Sequence, residues 1–400
     1  MRRGIRTGAA AVVGAVVGLV VALAIPVPGG APDPALSPPA VDTDEAVLGD
    51  AEIPTLLAWT PSQLPVGYAA AVRDLNEVEA AAVVHSGVAW LTSWRDRDGR
   101  VRTPSDGLMA PVELAGVDPA EYLRFVPPSE WAAFGQLARG GALLGASGAK
   151  LRGIGPGGTL EFGGTSLRVR AVVDDELVGA HEVVVSEEVG RRLGAGRARY
   201  LLVAPKRSAS RQEVERALRR ALPAGVRMQI RGPGETPIFR HGDAVLPIVR
   251  LKELFGEFAA VPASGGSLRI DPRWVADSIV TAEAPILGRI QCHRGVISQL
   301  DGALGELVDR GLGDLVDPAD YGGCYSPRFI RHDPGAGISH HAWGVAIDLN
   351  VSGNTFGAKP TMDPRIVEVF ERWGFTWGGR WLIPDGNHFE FLRFPLSPQD

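Results

Sequence analysis

The hydrophobic pattern of the chain opens with an uncharged apolar run. Residues 8–25 contain neither charge nor proline, and Arg2, Arg3 and Arg6 precede them. Eighteen apolar residues are the lower limit for a helix that spans a bilayer, and the same run is typical of a signal-peptide core. The basic flank predicts that the N-terminus stays in the cytoplasm. Residues 1–28 are therefore predicted to be a signal anchor or a signal peptide. The remainder is then expected at the extracytoplasmic face of the cell membrane, or secreted if the signal is cleaved.

The apolar pattern changes twice after this run. Residues 29–51 are rich in Pro, Ala and Asp and show no period, which predicts a linker. Residues 52–235 alternate apolar strand patterns, such as 81–91 and 166–173, with short helical patterns. One helix is predicted to begin at Ser210 with a capping box. This region is expected to form a separate accessory domain of mixed α/β type.

The C-terminal region, residues 236–400, has a different pattern. Longer helical stretches, "VLPIVRLKELFGEFA" and "VISQLDGALGELVDRG", precede loops rich in His, Asp and aromatic residues. A further helix is predicted from an N-cap at Asp363 and Pro364 to Gly374. The whole chain is therefore expected to be α+β, with a small antiparallel sheet in this second domain.

Composition removes one class of partner. The formal net charge is −5 over 400 residues, and no run of Lys and Arg exceeds three residues. A protein that binds nucleic acid carries a basic patch, so nucleic acid is not expected as a partner.

Two cysteines, Cys292 and Cys324, are the only ones in the chain. In an exported protein such a pair predicts a disulfide, which closes a loop of about 30 residues and contributes roughly 3–4 kcal/mol. Free thiols and zinc thiolates remain alternatives, although no C-x-x-C spacing is present.

A serine acyl-enzyme is one candidate chemistry. Ser147 and Lys150 match the S-x-x-K pattern, and Ser352-Gly353-Asn354 matches S-x-N. No K-T-G or K-S-G follows, so this interpretation is kept only as a rival.

A stronger constellation lies near the C-terminus. The block Ser339-x-His341-x-x-Gly344-x-Ala346-x-Asp348 is followed by "PDGNHFEF" with Asp385 and His388. Strand alternation in "VAIDLN" predicts that Ala346, Asp348 and Asn350 share one face. A carboxylate on a partly buried sheet costs several kcal/mol unless it is paired or bound to a metal. The charge of Asp348 is therefore expected to be balanced by a cation or stabilised by hydrogen bonds from backbone N–H groups.

These motifs resemble the VanY/VanX-type zinc D-alanyl-D-alanine carboxypeptidases and their L-alanyl-D-glutamate endopeptidase relatives. The likeness covers roughly residues 245–396. It implies that His341, Asp348 and His388 hold Zn²⁺ and that Asp385 is the general base. Arg328 matches the upstream arginine, which stabilises an oxyanion or grips a substrate carboxylate.

Further residues surround this set. Ser339 is expected to form a hydrogen bond near the site. Glu390 shares strand parity with His388 and is expected either to orient His388 or to form a salt bridge. His340 lies at a variable position of the block and is expected beside the site or on the surface. Three tryptophans are candidates for a substrate cleft and also for the core, namely Trp343, Trp377 and Trp381.

The expected function is hydrolysis of D-amino-acid-containing peptides of peptidoglycan by zinc-activated water. Many members of the family carry Glu where this chain has Asp385, and the Asp form occurs among the endopeptidase relatives. An L,D-endopeptidase and a non-catalytic zinc-binding module of the cell wall are the alternatives.

The region of residues 52–235 has a fainter likeness. "GASGAKLRGIGPGGTLEFGG" and "HEVVVSEEVGRRLG" resemble the extracytoplasmic domain of MacB-type ABC-transporter permeases. This resemblance implies that the region positions the enzyme or binds a protein partner.

Overall fold

The computed structural model describes residues 55–105, 107–235 and 246–394. The predicted signal segment and linker lie outside these ranges. Within them, no helix combines the length and the apolar character needed to cross a membrane.

The N-terminal part, residues 55–235, is built on one mixed sheet of 11 strands. The pairing is antiparallel except between β5 and β9 and between β6 and β8. The order across the sheet is β11-β1-β10-β2-β5-β9-β6-β8-β7-β3-β4. The strands are β1 Leu56–Trp59, β2 Val78–Leu91, β3 Ser93–Arg95, β4 Val101–Arg102, β5 Ala110–Val117, β6 Ala142–Gly145, β7 Thr159–Phe162, β8 Thr165–Val173, β9 Val183–Ser186, β10 Arg197–Pro205 and β11 Gln229–Arg231.

Short helices accompany this sheet. They are α1 Tyr68–Arg73, α2 Pro119–Tyr122, α3 Trp131–Phe134, α4 Ala146–Arg152, α5 Glu187–Arg192 and α6 Arg211–Arg220. The predicted capping box of α6 is present, because Ser210 and Glu213 satisfy each other's backbone N–H groups.

The C-terminal part, residues 246–394, combines four helices with three small antiparallel sheets. The sheets pair β12 with β13, β14 with β15, and β16 with β18 and β17. The elements are α7 Ile248–Phe255, β12 Ala260–Pro262, β13 Leu268–Ile270, α8 Pro272–Ser278, β14 Ile279–Ala284, β15 Gly288–His293, α9 Ile297–Asp309, β16 Ala346–Asp348, α10 Pro364–Arg372, β17 Phe375–Trp377 and β18 His388–Phe391.

Helix α10 begins and ends as its sequence predicts. The Asp363 carboxylate caps its first turn by accepting from the N–H of Arg365, and Pro364 occupies the first helical position. Gly374 follows with φ 81°, and a Cβ there would lie 2.1 Å from the carbonyl oxygen of Arg393. Only glycine fits this close approach, so the chain turns directly into β17.

The two parts are held together by buried charges. Lys252 of α7 donates to Glu182 at 2.8 Å and to Glu257 at 2.7 Å. Arg152 of α4 contacts the same two carboxylates, each at 2.6 Å. Val88 and Trp90 of β2 also pack against the hydrophobic core of the C-terminal part. The mixed α+β class is therefore confirmed, while the boundary predicted at 235 adjoins residues 236–245, outside the described ranges.

Candidate metal centre

The three-stranded sheet brings two of the predicted ligands together. Strand β18 is central and pairs antiparallel with β16, with Asp348 directly opposite His388. Side chains of residues opposite each other project from the same face of a sheet. The carboxylate of Asp348 lies 2.8 Å from His388 Nδ1. One strand pairing thus brings together two residues that are 40 positions apart in the sequence.

The third side chain comes from a turn. His341 lies in a single 3-10 turn, His340–Ala342, and the Oγ of Ser339 accepts from the backbone N–H of His341. The ring Nδ1 of His341 lies 2.8 Å from the carbonyl oxygen of Cys324. A carbonyl only accepts, so Nδ1 carries the proton and Nε2 is left with its lone pair.

The three side chains converge on one point. His341 Nε2 lies 3.2 Å from His388 Nδ1 and 3.2 Å from Asp348 Oδ1. One ligand atom from each residue falls within 4.8 Å of the other two. Two imidazole nitrogens and a carboxylate oxygen form the donor set of many zinc sites. Acceptors this close require a shared proton or a cation, so the set fits a metal ion.

The charges at the cluster support the same conclusion. Burial disfavours the charged form of Asp348, but the close contacts with His341 and His388 outweigh burial and hold the pKa of Asp348 below the usual range. Burial also disfavours charged His388, yet Asp348 and Glu390 raise its pKa to about 10. Without a metal both ring nitrogens of His388 carry a proton at neutral pH. A metal that binds Nδ1 must therefore displace the proton on that nitrogen.

Behind His388 lies a second buried layer. His388 Nε2 is 3.1 Å from Glu390 Oε2, and His340 Nδ1 is 2.9 Å from the same oxygen. Burial raises the pKa of Glu390, but the two histidines outweigh burial and lower it to about 2. A carboxylate here orients the ring of His388 so that Nδ1 faces the cluster. His340 is buried and faces Glu390 rather than the cluster.

Asp385 and Arg328 border the cluster. Burial raises the pKa of Asp385, against the opposing charge of His388. Asn387 Nδ2 donates to Asp385 Oδ1 at 3.1 Å and holds the carboxylate in place. The charge of Arg328 also acts on Asp385. Arg328 is half-buried, and the structure shows it with no hydrogen bond or ion pair from its side chain to any described residue.

The two cysteines form a disulfide, as predicted. Cys292 of β15 is bonded to Cys324, with the Cα atoms 5.4 Å apart. This bond fixes the carbonyl group that His341 contacts. Nearby, Gly344 has φ 67°, and a Cβ there would lie 2.8 Å from the backbone nitrogen of His293. The glycine of the block thus lets the chain pass close to β15.

One detail of the predicted strand is wrong. Strand β16 ends at Asp348, and Asn350 has φ 49°. Its side chain accepts from the N–H of Asp317 and donates to the carbonyl oxygen of Leu315. Asn350 is therefore a turn residue, since asparagine tolerates the left-handed conformation better than most residues.

The tryptophans divide between core and site. Trp343 is fully buried, and its indole donates to the carbonyl oxygen of Gly256. Trp377 donates to the carbonyl oxygen of Gly386 at 2.8 Å. Only Trp381 lies against the cluster, with its ring centroid 5.3 Å from that of His388.

The rival serine is not set up for catalysis. Ser147 is buried, and its Oγ accepts a hydrogen bond from Arg250 at 3.0 Å. Lys150 is exposed on α4. The hydrogen-bond partner of the Ser147 hydroxyl is therefore a permanently charged arginine, which cannot act as a general base.

Several groups around the candidate metal centre had no recognisable signal in the sequence. The Cys324 carbonyl group is a backbone atom and has no residue signature. Tyr321 lies near Asp348, and its pKa is raised to about 12 by burial and by that charge. The contact of His340 with Glu390 depends on strand β18. Only Asn387 had a signal, its position between Asp385 and His388.

No curated protein matches the chain. Among solved structures, the periplasmic region of MacB from Actinobacillus actinomycetemcomitans has 13% identity and a TM-score of 0.34, covering 45% of this chain and 89% of its own. The extracellular domain of the noncanonical ABC-type transporter YknZ from Gram-positive bacteria has 12% identity and a TM-score of 0.28, covering 41% and 88%.

A family model gives the more informative match. Residues 333–391 match the model described as D-alanyl-D-alanine carboxypeptidase. This segment contains the cluster of His341, Asp348 and His388 together with Asp385. The C-terminal segment of the chain is therefore similar to the D-alanyl-D-alanine carboxypeptidases, as its sequence motifs predicted.

Proposed function

We propose that the protein is a zinc-dependent peptidase that hydrolyses D-amino-acid-containing peptides of peptidoglycan, in the manner of a D-alanyl-D-alanine carboxypeptidase. The observation that carries the proposal is the convergence of His341 Nε2, Asp348 and His388 Nδ1 within 4.8 Å, with Asp385 beside them. The segment that holds all four residues is the one similar to these carboxypeptidases.

The ligands in this proposal are His341, Asp348 and His388. Zinc held by them would supply a Lewis acid and lower the pKa of a bound water to about 7. Two neutral imidazoles and one carboxylate leave the site with a net charge of about +1, which favours an attacking hydroxide and a developing oxyanion.

Asp385 is the proposed general base. Its raised pKa makes it a better proton acceptor than an exposed aspartate. It would take a proton from the attacking water and return it to the leaving amine. The hydrogen bond from Asn387 keeps one carboxylate oxygen occupied, which leaves the other for the water.

Arg328 is proposed to bind a negative group of the substrate. Within the described part of the chain its guanidinium has no fixed carboxylate partner, so its donors remain available. A terminal carboxylate or an oxyanion would be bound by such a group.

The proposed location follows from the predicted signal segment. We propose that residues 1–28 hold or export the chain, so that the site faces peptidoglycan outside the cytoplasm. Residues 52–235 are proposed as an accessory domain that positions the enzyme or binds a protein partner.

The test is cleavage of muropeptides by the full chain in detergent, read by mass spectrometry. Wild-type protein with zinc should release one D-alanine as a carboxypeptidase, whereas cleavage within the stem peptide would identify an endopeptidase. The protein should be inactive with a chelator and insensitive to β-lactams. The whole chain is used because Lys252 of the C-terminal part is paired with Glu182 of the N-terminal part.

Three variants complete this test. His341→Ala should lose both zinc and cleavage, whereas His340→Ala should still bind zinc. Asp385→Asn should bind zinc and lose at least 100-fold in turnover. If zinc binds to wild-type protein and no peptide is cleaved, the enzyme proposal fails and a binding module remains.

A further inference from the structure

A cavity of about 450 Å³ lies between the N-terminal and C-terminal parts. One wall comes from β1, β2, β5 and β10. The other comes from residues 330–338, Phe356 and residues 381–383. Its volume is within the range of small-molecule and peptide pockets. None of the residues assigned so far to the metal or to the proton transfer lines it.

The cavity adjoins the metal centre. Trp381 lines it and also lies 5.3 Å from His388, measured between ring centroids. His340 lines it and contacts Glu390, which in turn contacts His388. A peptide whose scissile bond is at the metal would therefore need only a short extension to enter the cavity.

The charged groups of the cavity wall favour an anion. Three arginines line it, Arg197, Arg199 and Arg331, against the acids Asp333 and Glu113. Both oxygens of Asp333 are engaged, one by Arg197 at 2.6 Å and one by the N–H of Gly335 at 2.9 Å. Glu113 Oε2 is shielded from solvent.

Two of the arginines lie beside aromatic rings. The guanidinium of Arg199 is 5.8 Å from the ring centroid of Trp59, and that of Arg331 is 5.0 Å from that of Phe356. A guanidinium beside an aromatic ring makes a cation–π contact, and its planar N–H groups match the geometry of a carboxylate.

The loop at the rim is held in a strained conformation. Arg331 and His332 are consecutive residues with φ of 52° and 57°. Non-glycine residues adopt this left-handed conformation only where the surrounding structure holds them in it. Contacts from both parts hold the loop, since Arg197 of β10 pairs with Asp333 and His332 Nδ1 lies 2.9 Å from the carbonyl oxygen of Gly265. Such strain persists where a binding surface needs it.

We propose that this cavity binds a carboxylate-bearing part of the substrate peptide, N-terminal to the scissile bond, through Arg199 and Arg331. The N-terminal part of the chain thereby forms half of the substrate site. This inference rests on the proposed peptidase function and specifies its substrate as an acidic peptide.

The experiment compares two peptides that differ in one charge. They are L-Ala-D-Glu-L-Lys-D-Ala-D-Ala and its twin with D-Gln in place of D-Glu. KM is measured with the full zinc-loaded chain for wild type, Arg199→Gln, Arg331→Gln, the double variant with both changes, and the control Arg216→Gln. Arg216 is an exposed residue of α6. Binding is measured separately by calorimetry on the same variants in an Asp385→Asn background, which does not require turnover.

Wild-type protein and the control should prefer the acidic peptide by about 10-fold in KM and in Kd, the effect of one charge-assisted hydrogen bond. Each arginine variant should reduce that preference, and the double variant should abolish it. Cleavage of both peptides without preference, or an equal preference in the double variant, would overturn the inference and leave the peptidase proposal intact. Preferential binding that depends on the arginines, with no cleavage, would support the cavity and refute the peptidase.

Discussion

Glu390 shows how a single buried residue controls the candidate metal centre. Its carboxylate contacts both His388 and His340, although neither contact places it among the converging ligand atoms. The sequence alone offered a salt bridge or an orienting role for this residue, and the structure places its Oε2 3.1 Å from His388 Nε2 and 2.9 Å from His340 Nδ1.

Replacing Glu390 by Gln should weaken zinc binding. The amide keeps the shape but removes the charge that makes His388 a stronger ligand, so Kd should rise about 10- to 100-fold. A titration against a chelating indicator at pH 7 measures it. Glu368→Gln is the control, because Glu368 is exposed on α10. Equal affinity in both variants would contradict the orienting role.

The titration of Asp385 in zinc-free protein should report its burial. Because burial raises its pKa above the ordinary 3.8, the carboxylate takes up a proton at a higher pH than an exposed aspartate does. The Asp385 carboxyl signal, followed by NMR in zinc-free protein, should therefore titrate above pH 3.8, and bound zinc should shift the titration to lower pH. A midpoint at or below 3.8 without zinc would contradict a buried base.

His293 should make the metal-free protein sensitive to acid. Burial lowers its pKa from 6.5 to about 4, while its Nε2 donates to the carbonyl oxygen of Phe255 and its Nδ1 accepts from the N–H of Gly295. The unfolded chain takes up this proton below pH 6.5, and the folded chain only near pH 4. The free energy of unfolding should thus fall by up to about 3 kcal/mol as the pH drops through this window.

Urea unfolding of zinc-free protein at several pH values measures this effect. His293→Asn removes the titrating ring, so its free energy of unfolding should change less between pH 6.5 and pH 4 than that of wild type. The same pH slope in both proteins would rule His293 out as the cause.

At the scale of elements, the disulfide and the central strand β18 orient different ligands of the candidate metal centre. Strand β18 presents His388 and Glu390, while the disulfide joins β15 to the loop whose Cys324 carbonyl group contacts His341. One ligand is thus oriented by a side chain and another by a covalently held backbone group.

Replacing both cysteines by serine should therefore have two effects. The free energy of unfolding should fall by roughly 3–4 kcal/mol in the chain-entropy model for a loop of this length. Zinc affinity should also fall, because the acceptor for His341 Nδ1 becomes less well fixed. Chemical unfolding and zinc titration measure the two effects separately. Loss of stability with unchanged zinc affinity would show that the loop holds its position without the bond.

At the scale of the whole molecule, the buried charges of α4 and α7 join the two parts. The side chains of Arg152, Glu182 and Lys252 are at most 1% exposed, and Glu257 completes the network at 16%. Lys252 also donates to the carbonyl oxygen of Pro111. Buried charges of this kind are costly when one partner is removed.

Lys252→Met should destabilise the protein by about 3–5 kcal/mol, because it leaves Glu182 and Glu257 with Arg152 alone. Lys150→Met replaces an exposed lysine of α4 and should change the free energy of unfolding by less than about 0.5 kcal/mol. Chemical unfolding of both variants tests this. If Lys252→Met matches the control, the network does not hold the two parts together.

Local sequence signals predicted several elements correctly. The capping box of α6, the proline and glycine that bound α10, and the alternation around Asp348 act between residues a few positions apart. Asn350 is the exception, because its side chain makes contacts 33 and 35 residues away. The alternation pattern contains no information about such partners.

The sequence by itself determined which residues converge at the candidate centre, since their spacing within two short blocks matched a known pattern. Only the tertiary structure decided which ring nitrogen of each histidine faces the cluster and where the cavity lies. Those features depend on the Cys324 carbonyl group beside His341, on Glu390 beside His388, and on the contact of Arg197 in β10 with Asp333. The physical reason is that they arise from packing between segments far apart in the chain, which no local pattern of hydrophobic and polar residues encodes.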